Sequence, residues 1–258
     1  MGHDGAMAPR TSIDLSADVG ELPGASGREL DDALIARVST AHLATGGHAG
    51  DALSMARGAA ACARFATRLG AHPSYPDRDG FGRRRLALSS VEVVASLLGQ
   101  LDALSDVAVE AGLRIESIKP HGRLYHDLSE DLELATSVFG QLALIWPGAV
   151  VVLAAGSRAA AWASDVGLHV VAEGFCDRRY DARGALVDRA QPGAVLTNAA
   201  EVADQVRALA RGGLVVDGVR HPVDSLCVHS DGPDAVATLE SARRALDDEG
   251  IAVEAPER

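Results

Sequence analysis

Along the chain, short apolar runs alternate with longer stretches whose apolar positions recur every three or four residues. "SIDLSADVG" reads as a strand, "GRELDDALIARVS" as a helix, "TAHLATGG" as a strand, and "DALSMARGAAACARFATRLG" as a small-residue helix closed by Gly70. The alternation continues through "LGAH", a long helix from Ser89 to about Ala111, "LRIESIKP", a helix around Glu130 to Leu144, "AVVVLAA", and a helix over Ser157 to Asp165. "LHVVAEG", a polar loop, "GAVL", a helix from Asn198 to Leu209, "VDSLCVHS" and a last helix from Asp234 to Asp248 complete it. Some seven or eight βα units with no linker and no repeat predict a parallel α/β sheet closed, or nearly closed, into a barrel with its helices outside. A doubly wound open sheet is the alternative, but no GxGxxG follows the first strand and no GxxxxGK[ST] occurs anywhere.

Composition narrows the class. At 258 residues and 47% apolar content the chain can bury a large core, and barrels of this length are commonly undivided, so one domain is expected over residues 12–258 with residues 1–11 as a disordered N-terminal extension. A formal charge of −12 argues against a nucleic-acid partner, because phosphate backbones require a basic stripe that "GRRR" is too short to supply. The three scattered cysteines, Cys62, Cys176 and Cys227, suit a reducing compartment and form no zinc-ribbon spacing. No signal peptide or membrane-spanning run is present, so a cytoplasmic enzyme is expected.

In a βα barrel the reactive groups project from the carboxyl ends of the strands. The first strand runs into Asp18 and Glu21, the second into His48 and Asp51, and the third into His72. The fourth runs into Lys119 and His121, the sixth into Glu173 and Asp177, and the last into His229 and Asp231. Lys119 is the only lysine among 24 Lys and Arg residues. In a chain with 3% aromatics, the loop "GAHPSYPDRDGFGRRR" reads as the wall of a ligand site, with Tyr75 and Phe81 as surfaces and Arg83 or Arg84 as anion anchors. Each residue also has a structural reading: a single histidine after a strand is commonly hydrogen-bonded framework, "DGFG" a turn, and an Arg run a solvated face. Cys62 and Cys227 read as core residues and Cys176 as a filler.

"IDLSADVGE", "AHLATGGHAGD", "GAHPSYPDRDGFGRR", "IKPHGRLYHDL", "GFCDRRYDARGALVDR" and "LCVHSDGP" resemble, in order and over nearly the whole chain, the motifs of the LamB/YcsF family, which includes the A subunit of the bacterial ATP-dependent 5-oxoprolinase. The resemblance implies a (β/α)7-type barrel of the glycoside hydrolase/deacetylase kind. It further implies opening of the lactam of 5-oxoproline to glutamate, driven by ATP in a complex with two companion subunits. Asp14, Asp18, Glu21, His48, Asp51, His72, Lys119, His121, Asp177, Arg178, Tyr180 and His229 keep the family pattern. Ser16, Ala17, His42, Thr45, Gly47, Ser74, Arg123, His126 and Ser230 depart from it, being Asn, Cys, Asn, Cys, Phe, Gly, Ala, Asn and Gly in the family, so the pocket lining is altered while the charged frame is retained.

A planar lactam is a poor electrophile, and phosphoryl transfer to its oxygen activates it, so the site needs cations for phosphate or carboxylate and groups that move protons. The implied catalytic set is Asp18, His48, His72, Lys119 and His121. Lys119 and Arg178 bind anions, His72 and His121 serve as acid and base, and Asp18 with His48 orients a water or the ring nitrogen. Glu21, Asp51, Tyr75, Arg84, Asp177, Arg178, Tyr180 and His229 are the implied substrate- or phosphate-binding residues. Two other readings stay open: a metal-dependent deacetylase-like hydrolase, with a divalent ion on Asp18, His72 and His121, and a non-catalytic regulatory paralogue. No nucleotide motif is recognisable, so ATP is expected to act at the level of the complex, and the chain alone is expected to be inactive.

Overall fold

Inward- and outward-facing positions alternate along seven parallel strands, and that alternation builds the molecule. In the computed structural model, which describes residues 10–232 and 234–256, the chain runs β1 (Ser12–Val19), α1 (Gly24–Ile35), β2 (Thr40–Ala44), α2 (Ala52–Phe65), β3 (Arg68–His72), α3 (Ser90–Glu110) and β4 (Ser117–Ile118). It continues through α4 (Gly122–Glu130), α5 (Leu132–Ile145), β5 (Val150–Ala154), α6 (Arg158–Asp165), β6 (His169–Phe175) and α7 (Ala199–Gly212). The last elements are β7 (Leu214–Val216), β8 (Val219–His221), β9 (Ser225–His229), α8 (Ala235–Asp248) and β10 (Ala252–Val253). The ring order is β1-β2-β3-β4-β5-β6-β9, closed by β9 against β1 through Asp14↔Ser225 to Asp18↔His229. This is the expected closed parallel barrel, with β10 adding a short pairing at the start of β1.

Leu15, Leu43, Leu69, Leu153 and Leu226 are buried among the helices outside the ring. The residues between them, Asp14, Ser16, Asp18, His42, His72, Glu173 and Ser225, are buried and polar. A strand with both faces buried must satisfy its polar positions from within the protein, and this lumen does so by hydrogen bonds between neighbouring strands. The helices begin where the chain offers caps: Asp51 and Ser89 form capping boxes with Ser54 and Glu92, and Asp131, Ser157 and Asn198 cap α5, α6 and α7.

Several expectations are corrected. The small-residue helix does not run to Gly70; it stops at Phe65, where Ala66 turns left-handed (φ 56°) and its N–H returns to the Cys62 carbonyl. Gly70 lies inside β3, because a Cβ there would come 2.3 Å from Cδ2 of His42. The helix expected around Glu130 is two helices sharing Asp131 as the end of one and the cap of the next. "GAVL" forms no strand of the barrel, only an isolated bridge from Val195 to Arg178. The β7–β8 hairpin, turning at Asp217-Gly218 with both φ positive, was also unexpected although "DG" is a hairpin signal. The proposed N-terminal extension lies mostly outside the described residues, and no described helix is long and apolar enough to cross a membrane.

Because His42 fills the space a side chain on Gly70 would need, Gly70→Ala is expected to destabilise the barrel by about 1–3 kcal/mol in urea titration. Gly70→Ala combined with His42→Ala should cost less than the sum of the two single changes; strict additivity would show that the two positions do not compete for space.

Candidate functional site

The carboxyl ends of the seven strands converge on one cleft. Asp18 ends β1, His72 ends β3, Lys119 follows β4, Glu173 and Phe175 lie in β6, and His229 ends β9. A cavity of about 410 Å³ opens there, lined among others by Asp18, His72, Lys119, His121, Arg178 and His229. A second cavity, of about 380 Å³, lies at the opposite, amino ends of the strands. There Asp14 accepts from Ser39, Thr40 and Ser225, and Arg10 pairs with Asp224.

Lys119 is the hub of the cleft. Its ammonium donates to both oxygens of Asp18 (2.9 and 3.0 Å) and to the Cys227 sulfur (3.0 Å), while Glu173 Oε1 lies 2.8 Å away as an electrostatic partner. Burial alone would discharge the lysine, but Asp18, Cys227 and Glu173 hold its pKa well above the usual value. Burial likewise opposes the charge on Asp18, yet His72 and Lys119 keep it ionised well below the usual carboxylate range. Burial raises the pKa of Glu173, which also accepts from the Tyr125 hydroxyl (2.9 Å). Lys119 is therefore a framing cation, with its donors already committed to its neighbours.

Behind it stand three histidines. His72 Nδ1 donates to the Lys119 carbonyl (2.7 Å) and His121 Nε2 to the Phe81 carbonyl (2.9 Å). Carbonyls only accept, so both tautomers are set, and the remaining nitrogens, His72 Nε2 and His121 Nδ1, face each other at 3.1 Å. Burial, followed by the neighbouring His48, lowers His121 to about 4, and burial lowers His48 to about 4 and His72 well below its usual value. His48 stacks on His121 at 3.6 Å and meets Glu21 Oε1 at 3.1 Å. Glu21 in turn accepts from Ser230 (3.0 Å). Phe81 closes over His48 and His121 edge-on, with a left-handed backbone (φ 54°) that a bulky residue adopts only under constraint.

The geometry sorts the expected residues. Asp18, His72, Lys119, His121, Arg178 and His229 meet at the cavity; Glu21 and His48 lie directly behind it, and Asp177 holds His229 through Nδ1 (2.9 Å). The structure does not bring four others there. Asp51 is the exposed N-cap of α2, and Tyr75 is buried with its hydroxyl on Asp127 (2.8 Å). Arg84 is turned back onto Asp77, while Tyr180 accepts the Phe175 N–H beneath the cavity. Arg83 rather than Arg84 reaches the mouth, and Tyr125 rather than Tyr75. Glu173, named at the end of the sixth strand without a role, is a partner of Lys119; Cys227 reads as core in the sequence because its lumen-facing register is invisible without the ring closure.

Among the described residues, two groups of donor atoms lie within 4.8 Å of one another: Glu21, His48, His72 and His121, and Asp18, Cys227 and His229. The expected Asp18–His72–His121 set is not among them, and both oxygens of Asp18 accept from Lys119.

Comparison with known proteins decides the relationship. The LamB/YcsF family profile matches residues 13–258. This chain belongs to that family. It is 42% identical over 93% of its length to 98% of a Paracidovorax citrulli protein named as the 5-oxoprolinase A subunit. It is 41% identical over 94% of its length to 96% of the Agrobacterium fabrum protein that bears the same name with the number 1. Among solved structures, the lactam utilization protein of Thermus thermophilus matches with a TM-score of 0.83 and 34% identity, covering 95% of this chain and all of that one.

Three of the positions expected to depart from the LamB/YcsF pattern, Thr45, Gly47 and Ser74, meet at Gln100. Thr45 donates to Gln100 Oε1 (2.9 Å), Ser74 N–H reaches the same oxygen, and Gln100 Nε2 returns to the Ser74 carbonyl. A Cβ on Gly47 would lie 2.4 Å from Ser74 Oγ and 2.6 Å from Gln100 Oε1, so Gly47, Thr45, Ser74 and Gln100 form one repacked unit. Arg123 is engaged by Asp127 and Glu130.

The His229–Asp177 pair sets a pH dependence. Burial depresses His229, but Asp177 overcomes this and holds its pKa above the ordinary value. The pair's stabilisation through His229 is thus fully present below about pH 6.5 and lost as pH rises through the raised value. His229→Gln should melt below the parent near neutrality, with the gap narrowing at alkaline pH in calorimetry; a gap independent of pH would mean that the ion pair contributes nothing net.

Proposed function

We propose that this chain is the ring-opening subunit of an ATP-dependent 5-oxoprolinase, converting an activated 5-oxoproline lactam to L-glutamate in a complex with two companion subunits. The observation that carries the reading beyond the family relationship is Arg178. Four arginines line the cavity, Arg83, Arg123, Arg178 and Arg189. Arg83 and Arg189 pair with Asp231, and Arg123 with Asp127 and Glu130. Arg178 is buried, donates from Nη2 to the Val187 carbonyl, and among the described residues has no carboxylate within ion-pair distance and no partner for Nε. A buried guanidinium left in that state fits the carboxylate or phosphate of a small anionic substrate.

The proton chemistry fits a lactam. Phosphorylation of the ring oxygen makes the carbonyl carbon electrophilic; water adds to that carbon, the C–N bond breaks, and the nitrogen takes up a proton. The acyl phosphate so formed takes a second water to give glutamate and inorganic phosphate. His229, held at Nδ1 by Asp177 and with its pKa raised, is the cavity group suited to give the proton to nitrogen. Asp18, kept ionised by Lys119, is suited to orient the water by accepting a hydrogen bond from it. His72 and His121 present lone pairs and serve poorly as acids, which moves the acid role from them to His229.

Reconstitution tests this. The isolated chain is expected to hydrolyse neither ATP nor 5-oxoproline, with coupled release of ADP and glutamate appearing on mixing with both companion subunits. Turnover by the chain alone, lost on chelation, would sink the reading in favour of a metal-dependent amide hydrolase. In the assembled enzyme Lys119→Arg should abolish turnover while the chain stays folded, since a planar fork cannot reach Asp18, Glu173 and Cys227 from one buried point. Arg178→Lys should raise KM about tenfold or more with a smaller effect on kcat, because it loses the fork but keeps the charge.

A further inference from the structure

Beyond the ring-opening reading, and independent of it, we propose that Glu21, His72 and His121 hold one divalent transition-metal ion of the zinc class behind the floor of the cavity. The convergent atoms are Glu21 Oε1, His72 Nε2 and His121 Nδ1, all within 4.8 Å of one another, while His48, stacked on His121 in a parallel plane, holds Glu21 Oε1 from outside. The separations are 3.5 Å from Glu21 to His121 and 3.9 Å to His72, and 3.1 Å between His72 and His121. Ligands at about 2.0–2.2 Å from a tetrahedral zinc ion lie roughly 3.3–3.5 Å from one another, so the Glu21, His72 and His121 atoms need only small shifts to close on one, with its fourth position left open.

The second observation is the direction of the lone pairs. His72 and His121 each spend their N–H on a backbone carbonyl, of Lys119 and of Phe81, which aims two lone pairs at each other across 3.1 Å in a buried site. Two lone pairs at that distance repel, and a carboxylate beside them adds to the negative potential; a cation between them removes the conflict for all three. The outer contacts are those that metal-bound groups use: a carbonyl fixes each of the two imidazoles, and the Ser230 hydroxyl holds the other oxygen of Glu21. The strained Phe81-Gly82 turn presents that carbonyl to His121, and a Cβ on Gly82 would stand 2.9 Å from both His121 and His48. An imidazole-rich set with one carboxylate selects zinc-class ions over magnesium or calcium. The neighbouring Asp18–Cys227–His229 group is unsuited, because the Lys119 ammonium already bonds Asp18 and Cys227.

The test uses the isolated chain and no turnover. After chelator treatment, the chain should take up one Zn²⁺ per molecule by elemental analysis. Co²⁺ should give the visible absorption of a low-coordinate nitrogen and oxygen site, with no sulfur-to-cobalt charge-transfer band. Cys227→Ala should bind as the parent does, and His72→Ala/His121→Ala should bind at least about tenfold more weakly with an unchanged circular dichroism spectrum. Failure of the parent to take up stoichiometric zinc, a sulfur-to-cobalt band, or undiminished binding by the double variant would each overturn the proposal. Should the double variant not fold, the parent's stoichiometry and the Cys227→Ala spectrum decide it. Since no lactam or ATP enters the assay, its outcome is separate from that of the reconstitution.

Discussion

A single ammonium in the barrel lumen organises everything around it. Lys119 is 2% exposed, and an ion so placed costs several kcal/mol in lost hydration unless its partners match it closely. Asp18 comes from β1, Glu173 from β6 and Cys227 from β9, so the charge draws strands from across the ring onto one point. Removing a partner would leave an uncompensated charge where water cannot replace it. The same pairing keeps Asp18 ionised at the cavity surface, and Glu173 passes the constraint on to Tyr125 on α4. Closure of the ring and competence of the site thus rest on one electrostatic requirement.

The loop after β3 transmits that order outward. His72 takes its orientation from the Lys119 carbonyl, His121 faces His72, and the Phe81 carbonyl locks His121 from the other side. Phe81 and Gly82 both take left-handed backbone, and Asp77 holds the turn by accepting from Gly80 N–H and from Arg84. Arg84 therefore acts inside the loop, bracing the residue that braces the turn, and the aromatic richness of "GAHPSYPDRDGFGRRR" divides between two tasks. Tyr75 anchors the loop's base to Asp127, and Phe81 seals the histidine cluster.

The end-of-strand rule made Asp18, His72, Lys119, His121 and His229 legible in the sequence, because in a parallel barrel every strand delivers its next polar residue to the same rim. What stayed hidden depends on contacts across the ring. Gly70 looked like a helix stop because glycine usually is one, and only the position of His42 on the adjacent strand explains it as a vacancy for a neighbour's side chain. Tyr75 and Tyr125 both follow strands, and nothing local to either says that the first turns toward Asp127 and the second toward Glu173. Asp51, expected as a rim acid, is instead the N-cap of α2, because the backbone N–H of Ser54 three residues later claims its carboxylate.

Charge at the cavity runs against charge on the whole. A chain with a formal charge of −12 repels small anions at long range, so an anionic substrate must be held by local contacts at the mouth. The mouth carries four arginines, but the acids around it neutralise three: Asp231 engages Arg83 and Arg189 together, and Asp127 with Glu130 engages Arg123. These pairs give the rim its shape without attracting anions indiscriminately. Arg178 differs because it follows β6 directly, in a segment that bridges to Val195 and is fixed by Gln205, whose amide donates to the Arg178 carbonyl (2.8 Å). Its backbone is tied down while its guanidinium keeps bonding capacity in reserve, and burial favours giving that capacity to a negative group. Three arginines at this mouth are thus neutralised by neighbouring acids, and the buried fourth, tied down through its backbone, keeps free bonding capacity.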